Sequence, residues 1–260
     1  MAQLVVRPFE ATKLDLPQAA TGLEQHNHIL EPEFHQDQYV DAVLNAAGKK
    51  NAFQLGDETL LVRSISRGRQ PEYADDDCDL ESLSFEGMLQ RDGTRHGDDD
   101  GKANVCALKS NCIRNGFIDF DLARSVSRAF FTKVKDRSSV QKGDLLINST
   151  GDGTIGRVAV YGQSFPAVVD GHVSIIRFKD PTLSWYSASY LMSDEGRDQL
   201  YRYINGSSGQ VEIYPQDIAR IWIPGDDSEI MLSVAEKLRS ACDKHDKFYE
   251  EITDARAHFL

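Results

Sequence analysis

The chain has 260 residues, 40% of them hydrophobic and 27% charged, which suits one large domain or a domain with an extended appendage. It contains no run of about 18 apolar residues and no basic start followed by an apolar stretch, so we expect a cytoplasmic protein with neither a membrane segment nor a secretory signal. Its four cysteines form no Cys-x-x-Cys pair, so we expect reduced thiols and no metal site.

Acidic and basic residues are unevenly distributed along the chain. The net charge of −12 by itself argues against a nucleic-acid-binding protein. Eleven acidic residues and two arginines lie between Glu72 and Asp100, a local balance of −9, whereas nine basic and five acidic residues between Ala103 and Tyr161 give +4. A protein with its charges segregated in this way can still present a basic face to DNA.

The N-terminal part is predicted to contain a helix, strands and an acidic insertion. We predict a helical lead-in over residues 1–50, with a helix from Glu31 to Asn45 in which Phe34, Gln38, Asp41 and Leu44 or Asn45 recur near helical spacing. Strands are expected from Ala52 to Ser66 and a turn over Ser66–Tyr73. The acidic run falls in an insertion at residues 72–102, whose composition is typical of a solvated loop. Cation binding and mimicry of a phosphate backbone are the alternatives for this insertion.

The run from Gly143 to Tyr161 is the most informative part of the sequence. A short apolar strand, Asp144–Asn148, is followed by a polar loop at Ser149–Thr154 and a second strand at Ile155–Tyr161. Glycines let such a loop take positive φ angles and approach a partner closely. The hydroxyl groups and the nearby Arg157 suit phosphates and base edges, although most hairpins of this kind bind no ligand.

Short elements are predicted on both sides of this hairpin. The pattern over Val105–Phe178 indicates short strands and loops, with Phe130, Phe131 and Val134 in the core. Two short helices and a last strand are predicted after it, at Trp185–Leu191, Glu195–Ile204 and Ile218–Ile223.

The C-terminal helix, assigned to residues 226–260 with Asp227 or Ser228 as its cap, carries a seven-residue repeat. More than four heptads with a 3.5-residue period are typical of a coiled-coil seam. At ~1.5 Å per residue the helix spans about 50 Å, too long to be covered by its own small domain, so we expect a partner helix. The predicted helix-pairing positions are Met231, Val234, Leu238, Ala241, His245, Phe248, Ile252 and Phe259.

Five segments occur in a recognisable order. They are SNCIRNGFIDF (Ser110–Phe120), the hairpin Gly143–Tyr161, VVDGHVSIIRF (Val168–Phe178), LMS (Leu191–Ser193) and GSSGQVEIYPQDIARIWIP (Gly206–Pro224). Over about residues 55–260 the chain thereby resembles the target-recognition domain of type I restriction–modification specificity (S) subunits. The resemblance implies an α+β fold, in which a target-recognition domain at residues 51–225, with a mixed, twisted β-sheet and short helices, precedes a long coiled-coil helix.

The resemblance implies a DNA-binding subunit without catalysis or a cofactor of its own. The sequence has no glycine-rich methyltransferase cofactor loop, no Asn-Pro-Pro-aromatic motif, no Walker lysine and no Gly-x-Ser-x-Gly elbow. An S subunit would read one half of a bipartite double-stranded DNA target and dock adenine methyltransferase (M) subunits and, through them, a restriction (R) subunit. With one recognition domain and one helix, the chain resembles a half-length S subunit, which would form a homodimer or pair with another half. A fragment of a full-length subunit would have the same features.

Polar and basic residues in the loops of these segments are the candidate DNA contacts. Arginine or lysine pairs naturally with guanine and asparagine or glutamine with adenine, each pair giving about 1–3 kcal/mol of discrimination. For any one of these residues, solvated surface remains the alternative. The candidates are Arg67, Arg69, Lys109, Asn111, Arg114, Ser149, Thr150, Thr154, Arg157, His172, Ser174, Ser207, Ser208 and Gln210.

Three other functions remain open from the sequence. A protein-binding decoy or inhibitor with an S-like fold would explain the acidic run between Glu72 and Asp100, which DNA would repel. A recognition module of another DNA modification or defence system would share the same motifs. An enzyme would need a cofactor or metal site that the sequence does not show.

Overall fold

The computed structural model describes residues 32–71, 105–206 and 211–259. The acidic insertion, the first 31 residues and the candidate contacts Ser207, Ser208 and Gln210 lie outside these ranges. Within the described ranges the fold is α+β, with ten short strands in three sheets. The strands are β1 (Phe53–Gln54), β2 (Ser66–Arg67), β3 (Val105–Leu108), β4 (Arg124–Val126), β5 (Ser139–Val140), β6 (Leu145–Asn148), β7 (Val158–Val160), β8 (Ala167–Val169), β9 (Val173–Ile176) and β10 (Trp222–Ile223). The α-helices are α1 (Asp37–Ala47), α2 (Arg128–Ser138), α3 (Pro181–Leu191), α4 (Asp194–Arg202), α5 (Pro215–Ile218) and α6 (Ser228–Ala257).

The N-terminal part follows the sequence prediction in its helix but not in its strands. A 3₁₀ turn at Pro32–His35 leads into α1, which confirms most of the helix predicted over Glu31–Asn45. Between β1 and β2 the chain forms turns, because the Asp57 carboxylate accepts hydrogen bonds from the backbone N–H and the hydroxyl of Thr59 (2.8 and 2.6 Å). The prediction of strands over Ala52–Ser66 is therefore wrong except near its two ends.

A four-stranded antiparallel sheet, in the order β2-β9-β6-β7, contains the predicted hairpin. Strands β6 and β7 pair with Ile147 opposite Val158, which confirms the hairpin. The second strand starts later than predicted, because residues 149–157 form the connecting loop. Strand β2 pairs with β9, Arg67 opposite Ser174, so the turn predicted in this place begins as a strand.

The second four-stranded sheet, in the order β4-β3-β8-β5, is mixed. Strands β3 and β8 run parallel with Ala107 opposite Val168, and the other pairs are antiparallel. Helix α2 packs on this sheet and lies in the region predicted as strands and loops, so that prediction is wrong here. The Ser127 hydroxyl caps the helix by accepting from the backbone N–H of Phe130 (3.1 Å), and Phe130 and Val134 are buried one turn apart.

The two helices predicted before the C-terminus are confirmed as α3 and α4. The last predicted strand is confirmed only in part, because Ile218 ends α5 and only Trp222–Ile223 forms β10, which pairs with β1. Gln199 of α4 is fully buried and exchanges two hydrogen bonds with the backbone of Trp222 (2.8 and 2.9 Å). The polar side chain thereby fixes β10 against the helix layer.

Helix α6 has 30 residues and packs along α3 of the same chain. It follows Asp227, which occupies the predicted cap position without making a side-chain hydrogen bond to the helix. No helix in the described part of the chain is both long and apolar enough to cross a membrane. The residues of α6 that contact the domain recur three or four positions apart along one side of the helix and include Met231, Ala235, Leu238 and Cys242.

The predicted helix-pairing positions fall into two groups on α6. Met231, Val234 and Leu238 pack on the core of the domain, and the His245 ring lies 4.0 Å from that of Phe117. These four residues are half-buried against their own domain, so part of the surface that the sequence predicts to face a partner helix contacts the domain instead. The remaining positions are Ala241, Phe248 and Ile252 on α6 and Phe259 two residues after its end; Phe248 is 56% and Phe259 86% exposed, and Ile252 is half-buried.

Candidate nucleic-acid interface

Four segments that are distant in sequence meet at one end of the β2-β9-β6-β7 sheet. They are the end of β2, the β6–β7 loop at residues 149–157, the turn Asp170–His172 between β8 and β9, and the chain around Glu212. The backbone of Thr150 pairs with that of Glu212. The sheet causes this convergence, because β9 lies between β2 and β6 and brings their ends together.

The carboxylate of Asp170 fixes two loops at this end. Its Oδ1 accepts a hydrogen bond from the backbone N–H of His172 (2.8 Å) and its Oδ2 accepts one from that of Ser110 (3.3 Å). Burial raises the pKa of the Asp170 carboxyl, and the two backbone donors oppose that rise. Asn148 adds a second connection, because its Nδ2 donates to the carbonyl oxygens of Ser110 (2.7 Å) and Thr154 (3.3 Å).

Sequence reasoning missed Asp170 and Glu212 as parts of this site. An Asp-Gly pair that follows a buried strand directly is a local signal for a side-chain-capped turn, and it would have identified Asp170. Glu212 carries no comparable local signal, since its role depends on a partner far away in sequence.

Arg67 connects β2 to the chain around Glu212. Its guanidinium forms an ion pair with Glu212 and donates to the carbonyl oxygens of Ile213 and Ser149. The guanidinium carbon lies 5.3 Å from the centre of the Tyr214 ring. The hydrogen bond from Arg67 lowers the pKa of the Glu212 carboxyl. The Arg67 side chain is only 14% exposed, and its guanidinium is already bonded to Glu212 and to two backbone carbonyl oxygens. The prediction that it contacts bases is therefore corrected.

Three further predicted DNA contacts are engaged within the protein. Ser149 and Ser174 are 0% exposed and their Oγ atoms lie 2.6 Å apart. A buried and bonded hydroxyl cannot reach a base, so these two predictions are corrected. Arg114 pairs with Asp119 (3.4 Å) close to the contact between the domain and α6, outside the hydrogen-bonded network of the four segments.

The other predicted contacts within the described ranges lie at the surface of this end. The Thr150 hydroxyl lies 2.6 Å from His172 Nδ1, and the His172 side chain is exposed. Within the β6–β7 loop, the Thr154 hydroxyl donates to the Thr150 carbonyl oxygen (3.1 Å) and Arg157 donates to that of Gly153 (2.9 Å). Gly153 has a φ of 75°, which favours glycine. We call six exposed or half-buried side chains the loop edge: Arg69, Lys109, Asn111, Thr150, Arg157 and His172.

The loop edge offers hydrogen-bond donors suited to nucleic acid. Its three cations, one amide, one hydroxyl and one imidazole can bind phosphate oxygens and base edges. No three His, Cys, Asp or Glu side chains within the described residues are arranged to hold a metal ion. Burial raises the pKa of the Cys112 and Cys242 thiols to about 12, so both are protonated at neutral pH and are poor nucleophiles.

The fold is similar to part of a solved restriction enzyme. The type IIG restriction endonuclease BpuSI matches with a TM-score of 0.51 and 12% identity, over 80% of this chain and 28% of that protein. Lower TM-scores relate the chain to a type I restriction–modification S subunit from M. genitalium (0.41; 11% identity; 73% of this chain and 38% of that one) and to a type I R-M system (0.42; 14%; 85% and 48%). No protein-family model matches the chain, and no curated protein matches it. Most of the chain therefore shares a fold with part of BpuSI, and the chain spans less than two thirds of each of these three proteins.

Proposed function

We propose that this chain is the DNA sequence-specificity subunit of a restriction–modification complex, reading one half of a bipartite target and docking adenine methyltransferase subunits. The observation that carries the proposal is the loop edge, where donor side chains stand on loops that backbone hydrogen bonds fix to one end of a sheet. These loops belong to the segments whose order resembles that of S subunits. The fold shared with a restriction endonuclease supports the same class of function.

The division of labour follows from the energetics of base modification. A methyltransferase must extrude the target adenine from the duplex, which costs a few kcal/mol of stacking and pairing. A subunit that grips the flanking sequence keeps the duplex in register while its partner acts. In the proposed complex the loop edge supplies that grip, the M subunits supply the chemistry, and an R subunit joins through them.

The second group of predicted helix-pairing positions, at the C-terminal end of α6, is the proposed site for pairing with another helix. Ala241, Phe248 and Ile252 lie on one side of the helix, Phe259 follows two residues after its end, and the exposed rings of Phe248 and Phe259 leave apolar surface in contact with solvent. A second copy of this chain, or another half-length S subunit, would cover that surface and supply the second half of the bipartite target.

The test is the DNA sequence that a reconstituted complex methylates. The chain is co-expressed with the adenine methyltransferase of its host in cells without adenine methylation, and modified adenines are mapped. We expect one two-part methylated sequence. Arg69→Ala with His172→Ala should change or abolish one half of it if the chain pairs with a different S half, and both halves if it pairs with a second copy of itself. Lys49→Ala, at an exposed position after α1, should change neither half. The function is rejected if the methylated sequence is the same when this chain is omitted, or if no sequence is methylated.

A second candidate is a recognition module of another type of DNA modification system. The observation that favours it is the TM-score above 0.5 to a type IIG restriction endonuclease, of which this chain matches 28%. The purified complex distinguishes the two. An S-subunit complex methylates DNA and cleaves it only after an R subunit is added, whereas a module of an endonuclease of the other type cleaves without one.

A further inference from the structure

Helix α2 presents a strongly basic surface next to the loop edge. Its inner side packs on the β4-β3-β8-β5 sheet through Phe130 and Val134. Its outward side carries the charges, and in a protein with a net charge of −12 this helix has a net charge of +3. Arg128 and Lys135 lie on one flank of the outward side, Lys133 and Arg137 lie on the other, and the single acid, Asp136, lies between them; all five are exposed, and we call the four cations the basic face.

Helix stability accounts for only part of this charge. Cations at the C-terminal end of a helix interact favourably with its dipole, which explains Lys135 and Arg137. Arg128 is the first helical residue, where the dipole disfavours a cation, and the first turn has no acidic residue. Among the described residues, no carboxylate forms an ion pair with Arg128, Lys135 or Arg137. A ligand that carries negative charge would explain both features.

Hydrogen bonds attach α2 to the strand that ends at the loop edge. The backbone N–H of Arg69 donates to the Ser138 hydroxyl at the end of α2 (3.0 Å). In the opposite direction, Arg137 Nε donates to the carbonyl oxygen of Arg67 (3.2 Å). The C-terminal end of the basic face and the loop-edge residue Arg69 therefore lie on adjoining surface.

We propose that the basic face of α2 binds the phosphate backbone of the DNA whose bases the loop edge contacts. This inference rests on the proposed function and adds a second contact that is independent of sequence. With 11 residues, α2 is about 16 Å long, which corresponds to about five base-pair steps along the axis of a DNA duplex at a rise of ~3.4 Å each. Phosphate contacts of this kind set the register of the duplex and contribute affinity without discriminating between bases.

The test variant is Arg128→Gln with Lys135→Gln in the full-length chain. Neither side chain makes a hydrogen bond or ion pair within the described ranges, so the exchange is expected to leave the fold unchanged. Each lost phosphate contact lowers the slope of log affinity against log salt concentration by about 0.9. We expect the magnitude of the slope on a random-sequence duplex to fall by about 1.8. When salt is raised from about 50 to about 200 mM, the factor by which the variant loses affinity should therefore be about 12 times smaller than the factor for the wild type. Sequence preference should be unchanged.

The matched control is Lys49→Gln with Lys50→Gln. It removes the same charge from two exposed residues after α1, and we expect the wild-type slope. Equal slopes for all three proteins would overturn the inference, as would a control that loses as much slope as the α2 variant. Failure of the proposed function has a different signature, because the wild type would then prefer no DNA sequence whatever its salt slope.

An acidic segment could compete with DNA for the basic face, and the sequence contains one between Glu72 and Asp100. The described chain stops at Pro71 and resumes at Val105, which pairs with Val126 two residues before α2. If those acids neutralise the face in place of DNA, the α2 variant binds DNA at least as tightly as the wild type and with the same salt slope. That result would also overturn the inference.

Discussion

Leu238 and Phe248 both belong to the predicted seam of α6, but aspartate is expected to lower the stability of the domain at the first position and to weaken self-association at the second. Leu238 packs on the core of the domain, whereas Phe248 is 56% exposed. Leu238 is half-buried, so Leu238→Asp loses about half of the ~1.5–3 kcal/mol that full burial of a leucine contributes, and it places a carboxylate against apolar side chains; we expect a loss of about 2 kcal/mol in the free energy of unfolding. At about 2–4 °C per kcal/mol for a chain of this size, Tm should fall by about 4–8 °C.

Phe248→Asp is expected to change stability by less than about 0.5 kcal/mol and to weaken self-association instead. Urea unfolding followed by circular dichroism measures the first quantity, and sedimentation velocity measures the second. The refuting result is specific: a Leu238→Asp variant with wild-type Tm and no self-association would show that the heptad seam, and not the domain, covers Leu238.

Two further predictions concern the end of the sheet. Gly68→Ala should lower the free energy of unfolding by about 1–3 kcal/mol, because a Cβ there would overlap backbone carbonyl oxygens at the β8–β9 turn. The control is Gly162→Ala, where a Cβ meets open space, and its free energy of unfolding should stay within about 0.5 kcal/mol of the wild type. Equal losses for the two variants in urea unfolding would contradict the close approach of β2 to this turn. The hydrogen bond from Arg67 lowers the pKa of Glu212, so its stabilisation is present above the ordinary glutamate pKa and is lost as pH falls through the lowered value. The difference in amide hydrogen-exchange protection at residue 212 between the wild type and Glu212→Gln should therefore vanish in acid, and a difference that persists would refute this role.

Local signals explain the parts of the fold that the sequence predicts. The β6–β7 hairpin was predictable because two apolar strands and the glycines between them are neighbours in sequence. Helix α2 was not, since Phe130, Phe131 and Val134 have side chains that favour strands, and only the Ser127 cap and the turn-to-turn spacing of Phe130 and Val134 indicate a helix. In α6 the 3.5- and 3.6-residue periods diverge by only about 20° per heptad. A residue such as Met231 therefore fits both a coiled-coil seam and a helix that packs on its own domain, and the sequence pattern does not distinguish the two.

The candidate site was less predictable because its connections are long-range. Asp170 binds the backbone of Ser110, 60 residues away, and the carboxylate partner of Arg67 is 145 residues away. No pattern within one segment contains such pairs. Ser149 and Ser174 were misassigned for a related reason: a hydroxyl in or beside a strand suggests solvent, and only the packing of both faces of the sheet shows that these two are buried.

The way Asp170 is bonded has a consequence for how specificity can evolve. Its two oxygens accept from main-chain N–H groups, which every amino acid except proline supplies. The scaffold is thus indifferent to the side chains displayed beside it. Replacements at Arg69, Asn111 or His172 change the displayed chemistry and leave these anchors in place. A combinatorial library confined to the six loop-edge positions should therefore yield mostly folded proteins, and its members should differ in the target they select.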